Sequence, residues 1–485
     1  MLAPSRASAA RRVAESVLAR PDTAACHAWL DETRDRTWMR AERVPLAEMP
    51  GWHAEAGTGN LRHHTGRFFT VESVSVDLPG APVPHWRQPI INQPEIGILG
   101  VLVREIDGVL HCLVQAKREP GNVNGVQVSP TVQATRSNYT RVHGGAPVPY
   151  LDHFRRPAGH EVLVDIRQSE QGAWFYRKRN RNMVVEVGHD VPLYDGFHWL
   201  TLGQIAELLA LPDLVNMDTR TVLACLPGVA AEPAPAVADP FGAALVRSAD
   251  PAVRGVHDTG EVLSWITDAR TRTDLRVTPG PLAALPDWSC ADGRIVHRDG
   301  GFFAVVGVAV EAAGREVASW AQPMLEPVGV GVIAFLAKVI DGVLHVLAHA
   351  RTEPGYVDVT ELGPTVQCVP ETHDRFGARP RFLDEVLTST RVRFDTVLSE
   401  EGGRFLGARN RYLIVESDVE VAADDPDYRW LTLHQLDELL RHSFYVNIQA
   451  RSLVVCLRGL LGARSEPGEN VQQGVDDAVL DVQGQ

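Results

Sequence analysis

The chain contains much of its own sequence twice. A segment that begins at Trp86 recurs at Trp320, 234 residues later, and the correspondence runs without a gap as far as Gln133. Paired residues continue on both sides, from Trp29 to Cys225 in the first copy. A period this long is typical of a domain duplication, because solenoid repeats are far shorter. What both copies retain is expected to serve the fold or a shared binding chemistry.

The length of the chain agrees with a duplication, since 485 residues suggest about two to four domains. We predict a first copy with a helical N-terminal extension in residues 1–228 and a second copy in residues 256–464. An Ala- and Pro-rich linker is predicted for 229–255, and a disordered tail for 465–485. Each copy is long enough to bury a core of its own.

Composition narrows the class of protein. The net charge of −14 disfavours non-specific nucleic-acid binding, which needs a basic surface. The six cysteines form no CxxC pair, which argues against zinc ribbons and redox motifs. Cys225 and Cys456 are predicted to be buried thiols in matching strands. The chain shows no apolar run long enough to cross a membrane and no signal-peptide pattern, so we expect a cytoplasmic protein.

Local patterns predict a mixture of helices and strands. Asp107-Gly108 separates two apolar runs and predicts a tight hairpin, and Asp341-Gly342 repeats it in the second copy. An amphipathic helix is expected to begin after Thr201, which suits the N-cap position. The combination of antiparallel hairpins with separate helices is typical of an α+β fold.

Several catalytic motifs are missing from the sequence. We find no dinucleotide-binding fingerprint, no P-loop and no nucleophile elbow. We also find no metal-ligand spacing and no acidic Nudix box, so no metal ion is predicted.

The first candidate site follows the Pro-Thr-Val-Gln sequence that both copies share. The copies diverge after Gln133 and Gln367. Such a loop could hold a diphosphate or sugar hydroxyls through charge-assisted hydrogen bonds, although a polar turn would look similar. The candidate residues are Thr135, Arg136, Ser137, Asn138 and Tyr139 in the first copy, and Glu371, Thr372 and His373 in the second.

Further candidates are basic or aromatic. Arg179-Asn180-Arg181 and Arg409-Asn410-Arg411 open matching strands and suit phosphate or interface contacts, unless they are solvated or pair with Glu186 and Glu416. Trp52 and Trp288, if exposed, could stack on a nucleobase, but a packing role is the alternative. Lys117 and Arg351 occupy matched positions shortly before Glu-Pro-Gly. The first copy therefore has an ammonium, which is a compact point charge, where the second has a guanidinium, which is a planar fork of donors.

Three segments of the first copy carry a family resemblance. WRQPIINQPEIGILG, HCLVQAKREPGN and SPTVQATRSNY, with their degenerate repeats, resemble the NDP-hexose 2,3-dehydratases of deoxysugar biosynthesis. The resemblance extends from about Trp29 to Leu461. It implies a tandem duplication of a Nudix-like domain without the Nudix box, and a homodimer. It also implies dTDP-4-keto-6-deoxy-D-glucose as substrate and a 2,6-dideoxy-3,4-diketo sugar nucleotide as product.

The implied reaction needs a base for the C3 hydrogen, an oxyanion stabiliser at O4 and an acid for the departing C2 hydroxyl. No cofactor is expected, because the reaction involves no net oxidation, and a 3-ketoreductase would use the product. A nucleotide-sugar binding protein without activity and a Nudix-type hydrolase are the alternatives.

The resemblance also suggests roles for the candidate residues. Trp52 and Trp288 are candidates for thymine stacking. Tyr139 and Lys117 are candidates for proton transfer or O4 stabilisation, with His143 and Glu371 as alternatives. We expect both copies to bind nucleotide sugar and only the first to catalyse. The candidates for sugar and diphosphate contacts are Thr135, Arg136, Ser137, Asn138, Tyr139, Gln367, Cys368, Val369, Glu371, Thr372 and His373, and those for phosphate are Arg179, Arg351, Arg409 and Asn410.

Overall fold

The computed structural model describes residues 4–136, 147–157, 159–188, 190–228, 239–313, 317–376 and 379–462. The elements of the first copy are α1 Pro4–Leu18, α2 Ala24–Arg36, β1 Met39–Val44, β2 Trp52–Ala54, β3 Leu61–His63, β4 Thr70–Asp77, β5 His85–Asn92, β6 Ile98–Ile106, β7 Val109–Arg118, β8 Val126–Pro130, β9 Val132–Ala134, α3 Leu151–Arg155, β10 Glu161–Ser169, β11 Arg179–Glu186, β12 Phe197–Thr201, α4 Leu202–Leu209 and α5 Met217–Ala224.

The second copy repeats this order of elements almost throughout, and the mixture of helices and strands confirms the α+β class. Its elements are α6 Pro240–Ala249, α7 Thr259–Arg272, β13 Arg276–Gly280, β14 Trp288–Ala291, β15 Arg294–His297, β16 Phe303–Ala312, β17 Ser319–Pro327, β18 Gly331–Ile340, β19 Val343–Thr352, β20 Thr360–Gly363, β21 Val366–Cys368, α8 Pro370–Phe376, α9 Leu383–Thr388, β22 Val392–Ser399, β23 Arg409–Glu416, β24 Tyr428–Leu431, α10 Leu433–Leu439 and α11 Ile448–Gly459.

Each copy builds one large mixed sheet with the same strand order. In the first copy the order is β10-β11-β6-β7-β12, and in the second it is β22-β23-β18-β19-β24. The pairs β11–β6 and β23–β18 are parallel, whereas their neighbours are antiparallel. The predicted hairpin is confirmed, because β6 and β7 pair up to Ile106 and Val109. Its turn holds Asp107 at φ 50° and Gly108 at φ 80°, as a primed hairpin turn requires.

The two smaller sheets exchange a strand between the copies. β1 comes from the first copy but pairs with β16 of the second, with Met39 opposite Ala312. In return, β13 pairs with β4 of the first copy, with Arg276 opposite Asp77. Each small sheet is therefore completed by the other copy.

One apolar core joins the two copies. It contains Val128 and Val222 from the first copy together with Leu398 and Leu453 from the second. The two copies therefore share a single continuous hydrophobic core. None of the helices in the described parts of the chain is long and apolar enough to cross a membrane.

Two fully buried arginines cross this interface in opposite directions. Arg220 on α5 donates to the carbonyl of Ser399 at 2.7 Å, and Arg451 on α11 donates to the carbonyl of Ser169. Each also donates to a carbonyl within its own copy. A buried cation is stable only when its donors are satisfied, so these bonds fix how the copies meet.

The predicted cap at Thr201 is confirmed and provides a stability test. Its side chain accepts from Gln204 N at 3.1 Å in a capping box, and it also donates to Ala19 O at 2.7 Å. We expect Thr201→Ala to lower the free energy of unfolding by about 1–2 kcal/mol in guanidinium titrations. Thr432→Ala is the matched variant in the second copy and should have a similar effect, because Thr432 makes the same capping box in α10. A midpoint unchanged in both variants would contradict this account.

Candidate active site

The loop after strand β7 crosses into the second copy. Gly121 N donates to Gly402 O at 2.8 Å, and Gly407 N donates to Gly121 O at 3.0 Å. A Cβ on Gly121 would lie 1.8 Å from Phe405 O, so no larger residue fits without moving the backbone. The Glu-Pro-Gly sequence shared by both copies is therefore a close contact between them.

The second copy makes the reciprocal contact. Gly355 N donates to Gly172 O at 2.7 Å, and Arg177 N donates to Gly355 O at 2.8 Å. A Cβ on Gly355 would lie 1.7 Å from Phe175 O. Each crossing loop lies beside a group of buried and half-buried polar side chains, and the two groups occupy equivalent positions.

The first-copy cluster consists of Lys117, Glu119, Gln133, Asn216 and Asp218. Lys117 Nζ lies 3.2 Å from Glu119 Oε1, and Gln133 Nε2 donates to the same oxygen at 3.0 Å. Asn216 Nδ2 donates to Gln133 Oε1 at 3.4 Å. Strands β7 and β9 and the beginning of α5 therefore bring together side chains that are distant in the sequence.

Asp218 is the buried acid of this cluster. It is the second residue of α5, directly after the N-cap Asn216 and Met217, and its exposure is 3 %. Burial raises the pKa of Asp218 well above its usual range, and the carboxylates of Glu170, Glu401 and Glu119 raise it further. Lys117 opposes this shift. Both effects favour the protonated form of Asp218, which is the form that a general acid needs.

The second-copy cluster consists of Arg351, Glu353, Gln367, Asn447 and Gln449. Arg351 Nε donates to Glu353 Oε1 at 2.7 Å, and Gln367 Nε2 donates to that oxygen at 2.9 Å. Asn447 Nδ2 donates to Gln367 Oε1 at 2.9 Å. The network repeats that of the first copy, but an amide replaces the acid, because Gln449 stands where the first copy has Asp218.

Lys117, Arg351 and Gln367, which were predicted as site residues, thus lie in these clusters. For the two tryptophans, the structure supports the alternative of a packing role over thymine stacking. Trp52 and Trp288 are each 8 % exposed in one shared apolar cluster. Trp52 Nε1 donates to Ala321 O at 2.8 Å, and Trp288 Nε1 donates to Arg87 O at 3.0 Å. These indoles bond across the copies, and their faces pack on Phe69 and Phe303 rather than lying open to a nucleobase.

The strand-opening residues form contacts within the protein. Arg409 Nη1 lies 3.5 Å from Asp213 Oδ2, and Asn410 Nδ2 donates to Glu400 Oε1 at 2.6 Å. Arg179 Nη1 donates to the nearby carbonyl of Arg177. These three residues lie apart from the hydrogen-bond networks of the two clusters. The alternative pairing with Glu186 and Glu416 is wrong, because these carboxylates pair with Arg12 and Arg393.

The divergent loops are described in part. Thr135 and Arg136 directly follow β9, while Ser137, Asn138, Tyr139 and His143 lie outside the described residues. In the second copy, the buried Cys368 ends β21 and Val369 precedes α8. Glu371, Thr372 and His373 form the first turn of that helix.

Sequence reasoning did not select Glu119 and Asp218, which lie in the first-copy cluster, or Glu401, whose carboxylate raises the pKa of Asp218. A signal was present for the last two, because the copies differ in charge at both positions: Asp218 is matched by Gln449, and Glu401 by Gln171.

A shallow apolar cleft lies elsewhere, between α1, α4, α5 and α11, and its lining includes Val13, Leu202, Leu223 and Val455. That lining carries no acid, so the polar clusters are the better candidates. Across the described ranges, no three His, Cys, Asp or Glu side chains are grouped so that they could hold a metal ion.

A model of the NDP-hexose 2,3-dehydratase family matches residues 23–226 and 259–457. The chain belongs to this family. Three similar proteins are named dTDP-4-dehydro-6-deoxy-alpha-D-glucopyranose 2,3-dehydratase. The one from Saccharopolyspora spinosa is 49% identical over 94% of this chain and 96% of its own length. The one from Amycolatopsis orientalis is 48% identical over 89% of this chain and 89% of its own length. The one from Streptomyces violaceoruber is 48% identical over 90% of this chain and 98% of its own length.

These matches confirm the family that the sequence motifs indicated. The chain is thus an NDP-hexose 2,3-dehydratase, a carbon–oxygen lyase. A crystal structure of an ADP compounds hydrolase covers 27% of this chain and 70% of its own, with 17% identity and a TM-score of 0.19. That likeness is too small to assign the fold of either copy.

Proposed function

We propose that this 2,3-dehydratase removes water across C2 and C3 of dTDP-4-keto-6-deoxy-D-glucose at the first-copy cluster. The product is the dTDP-linked 2,6-dideoxy-3,4-diketo sugar. The observation that supports this location is the buried acid Asp218, which the second-copy cluster replaces with the amide of Gln449. Elimination of a hydroxyl needs a proton donor, and an amide cannot take that part.

The charges of the first-copy cluster suit the steps of the reaction. Loss of the C3 proton creates an enolate with negative charge on O4, and we assign the stabilisation of that charge to the ammonium of Lys117. Asp218 gives its proton to the departing C2 hydroxyl, which leaves as water. Glu119 and Gln133 hold this arrangement, because both Lys117 and Gln133 contact the same oxygen of Glu119.

The second-copy cluster is proposed to bind nucleotide sugar without catalysis. Arg351 offers a planar fork of donors, which suits a diphosphate, whereas Lys117 in the equivalent place offers a compact point charge. Glu353 accepts hydrogen bonds from both Arg351 and Gln367 and so holds the guanidinium in place. Glu119 has the same position between Lys117 and Gln133 in the first copy.

The finer predictions on architecture and partners are also proposals. The equal strand order of the two large sheets supports a tandem duplication with bounds at 1–228 and 256–464, and the Nudix-like character of each copy rests on the sequence resemblance. Residues 229–238 of the proposed linker and 463–485, which include the tail, lie outside the described residues. We further propose a cytoplasmic homodimer that passes its diketo product to a 3-ketoreductase.

The activity can be tested with the purified chain, dTDP-4-keto-6-deoxyglucose, a 3-ketoreductase and NADPH. Mass spectrometry is expected to show a sugar nucleotide that has lost one water and gained two hydrogens. Tight binding without loss of water would indicate a binding protein. Release of dTMP in the presence of a divalent metal ion would indicate a hydrolase.

Lys117→Met tests the role of the first-copy cluster in the same assay. We expect kcat to fall about 100- to 1000-fold, because a donor to a developing oxyanion typically contributes about 2.7–4 kcal/mol. Arg351→Met is the matched change in the second copy and should leave kcat within about threefold, since a binding site alone does not set the chemical step. The opposite pattern would place catalysis in the second copy.

A further inference from the structure

One loop of the second copy brings a carboxylate to the first-copy cluster. The bond between Gly121 and Gly402 places Glu401 beside that cluster, and Gly403 N donates to Glu401 Oε1 at 3.1 Å. A Cβ built on Gly403 would lie 2.4 Å from Glu401 Oε1 and 3.6 Å from Glu119 Oε1. The two carboxylates are therefore near neighbours, although they belong to different copies.

The other oxygen of Glu401 is buried, and among the described residues it has no hydrogen-bond partner. A buried acceptor without a partner is costly and often marks a functional position. Glu119 differs, because its Oε1 is held by Lys117 and Gln133. Among the described residues, Glu401 Oε2 therefore has no hydrogen bond that must break before it accepts a proton.

The reciprocal loop of the first copy does not repeat this arrangement. Gln171 stands in place of Glu401, and Ala173 in place of Gly403. The amide of Gln171 donates to Glu400 Oε2 at 3.1 Å and turns towards Met217. The two differences depend on each other. The carboxylate of Glu401 bends towards Gly403 and occupies the space that the methyl group of an alanine at 403 would fill.

We propose that Glu401, contributed by the second copy, is the general base of the first-copy site, and that Gly403 is a positioning residue for its carboxylate. The inference rests on the proposed dehydration at that site. It makes the active site a composite of both copies, so that neither copy contains the complete set of reacting groups.

The proton movements balance with two carboxyl groups. Glu401 takes the C3 proton, and the electrons of the C–H bond form the enolate with its charge on O4. The enolate restores the C4 ketone and expels the C2 oxygen, which leaves as water with the proton of Asp218. In the remaining enol, C2 receives the proton from Glu401 and the O3 hydroxyl returns one to Asp218. The net change is the loss of one water.

The electrostatic surroundings of Glu401 suit a base. Burial, with Glu119 and Glu170 nearby, raises its pKa to about 7, while Arg404 and Lys117 oppose the shift. A base is most effective when its pKa is near the working pH. Because the ionised form is the active one, kcat/KM should fall as the pH decreases through about 7.

Exchange of the C3 hydrogen with deuterated water separates the base from the acid. In Glu401→Gln, we expect both C3 exchange, followed by NMR, and loss of water to fall about 100- to 10 000-fold. In Asp218→Asn, C3 exchange should continue while loss of water falls about 100- to 10 000-fold, because the enolate still forms. Wild-type exchange in Glu401→Gln would overturn the assignment.

Gly403→Ala tests the positioning role without removing the carboxylate. The added methyl group should push the flexible end of Glu401 away, lower kcat about 10- to 100-fold and change the acidic limb of the pH profile. Ala173→Gly is the matched control in the first copy and should retain wild-type kcat and pH profile. Equal behaviour of the two variants would contradict the role of Gly403.

Failure of the inference and failure of the proposed function would look different. If the wild-type chain loses no water from the sugar nucleotide, the proposed function is wrong and the base has no reaction to serve. If the wild type dehydrates and Glu401→Gln does so equally fast, only the assignment of Glu401 is wrong.

Discussion

Asp218→Asn is expected to lower kcat for dehydration about 100- to 10 000-fold, because the amide cannot protonate the departing hydroxyl. The substitution keeps the size of a buried side chain, so the far-ultraviolet circular dichroism and the unfolding midpoint should change little. Since the acid must hold its proton, wild-type activity should also decline on the alkaline side, as the pH passes the raised pKa of Asp218. Steady-state kinetics across pH would measure both effects.

The second copy provides the control for this change. Gln449→Ala alters the equivalent position, which the proposal leaves outside the reaction, and should retain kcat within about threefold. If Gln449→Ala abolishes turnover while Asp218→Asn retains it, the reacting site lies in the second-copy cluster instead.

Arg451→Met is expected to lower the free energy of unfolding by about 3–5 kcal/mol. Loss of the fully buried guanidinium would leave several buried acceptors without a donor. Arg451 donates to Val446 O and Thr221 Oγ1, both at 2.6 Å, and to Ser169 O. The last two acceptors belong to the first copy, so the change should weaken the contact between the copies. Guanidinium titration followed by tryptophan fluorescence would measure the loss.

A surface arginine gives the matched control. Arg276→Met removes a pair with Asp274 in which both side chains are mostly exposed, and its effect should stay within about 0.5 kcal/mol. Equal midpoints for the two variants would show that the buried bonds of Arg451 contribute little.

Local features of the fold could be predicted because they depend on neighbouring residues. Asp107-Gly108 and Asp341-Gly342 each form a hairpin turn, and Thr201 caps its helix, as their local patterns indicate. Cys225 and Cys456 are buried as expected, but they lie at the end of α5 and within α11 rather than in strands. Short apolar runs fit both kinds of element, so periodicity did not decide between them.

The relation between the copies could not be predicted in the same way. Trp52 precedes a polar loop in the sequence, yet its burial depends on strand β17 of the other copy. The approach of Glu401 to Glu119 depends likewise on a loop far along the chain. The comparison of the copies did indicate Lys117, Arg351 and Gln367, because matched positions reveal shared structure without contact information.

The exchanged strands have a consequence for how the chain matures during synthesis. Met39 of β1 finds its partner Ala312 only after the first part of the second copy has been synthesised. At about 5–20 residues per second, synthesis from the end of the first copy to strand β16 takes on the order of ten seconds, and β1 stays unpaired during that time. An unpaired strand edge can join another chain, so this interval is when aggregation should compete with folding. A gene fragment that encodes the first copy alone would make that interval permanent.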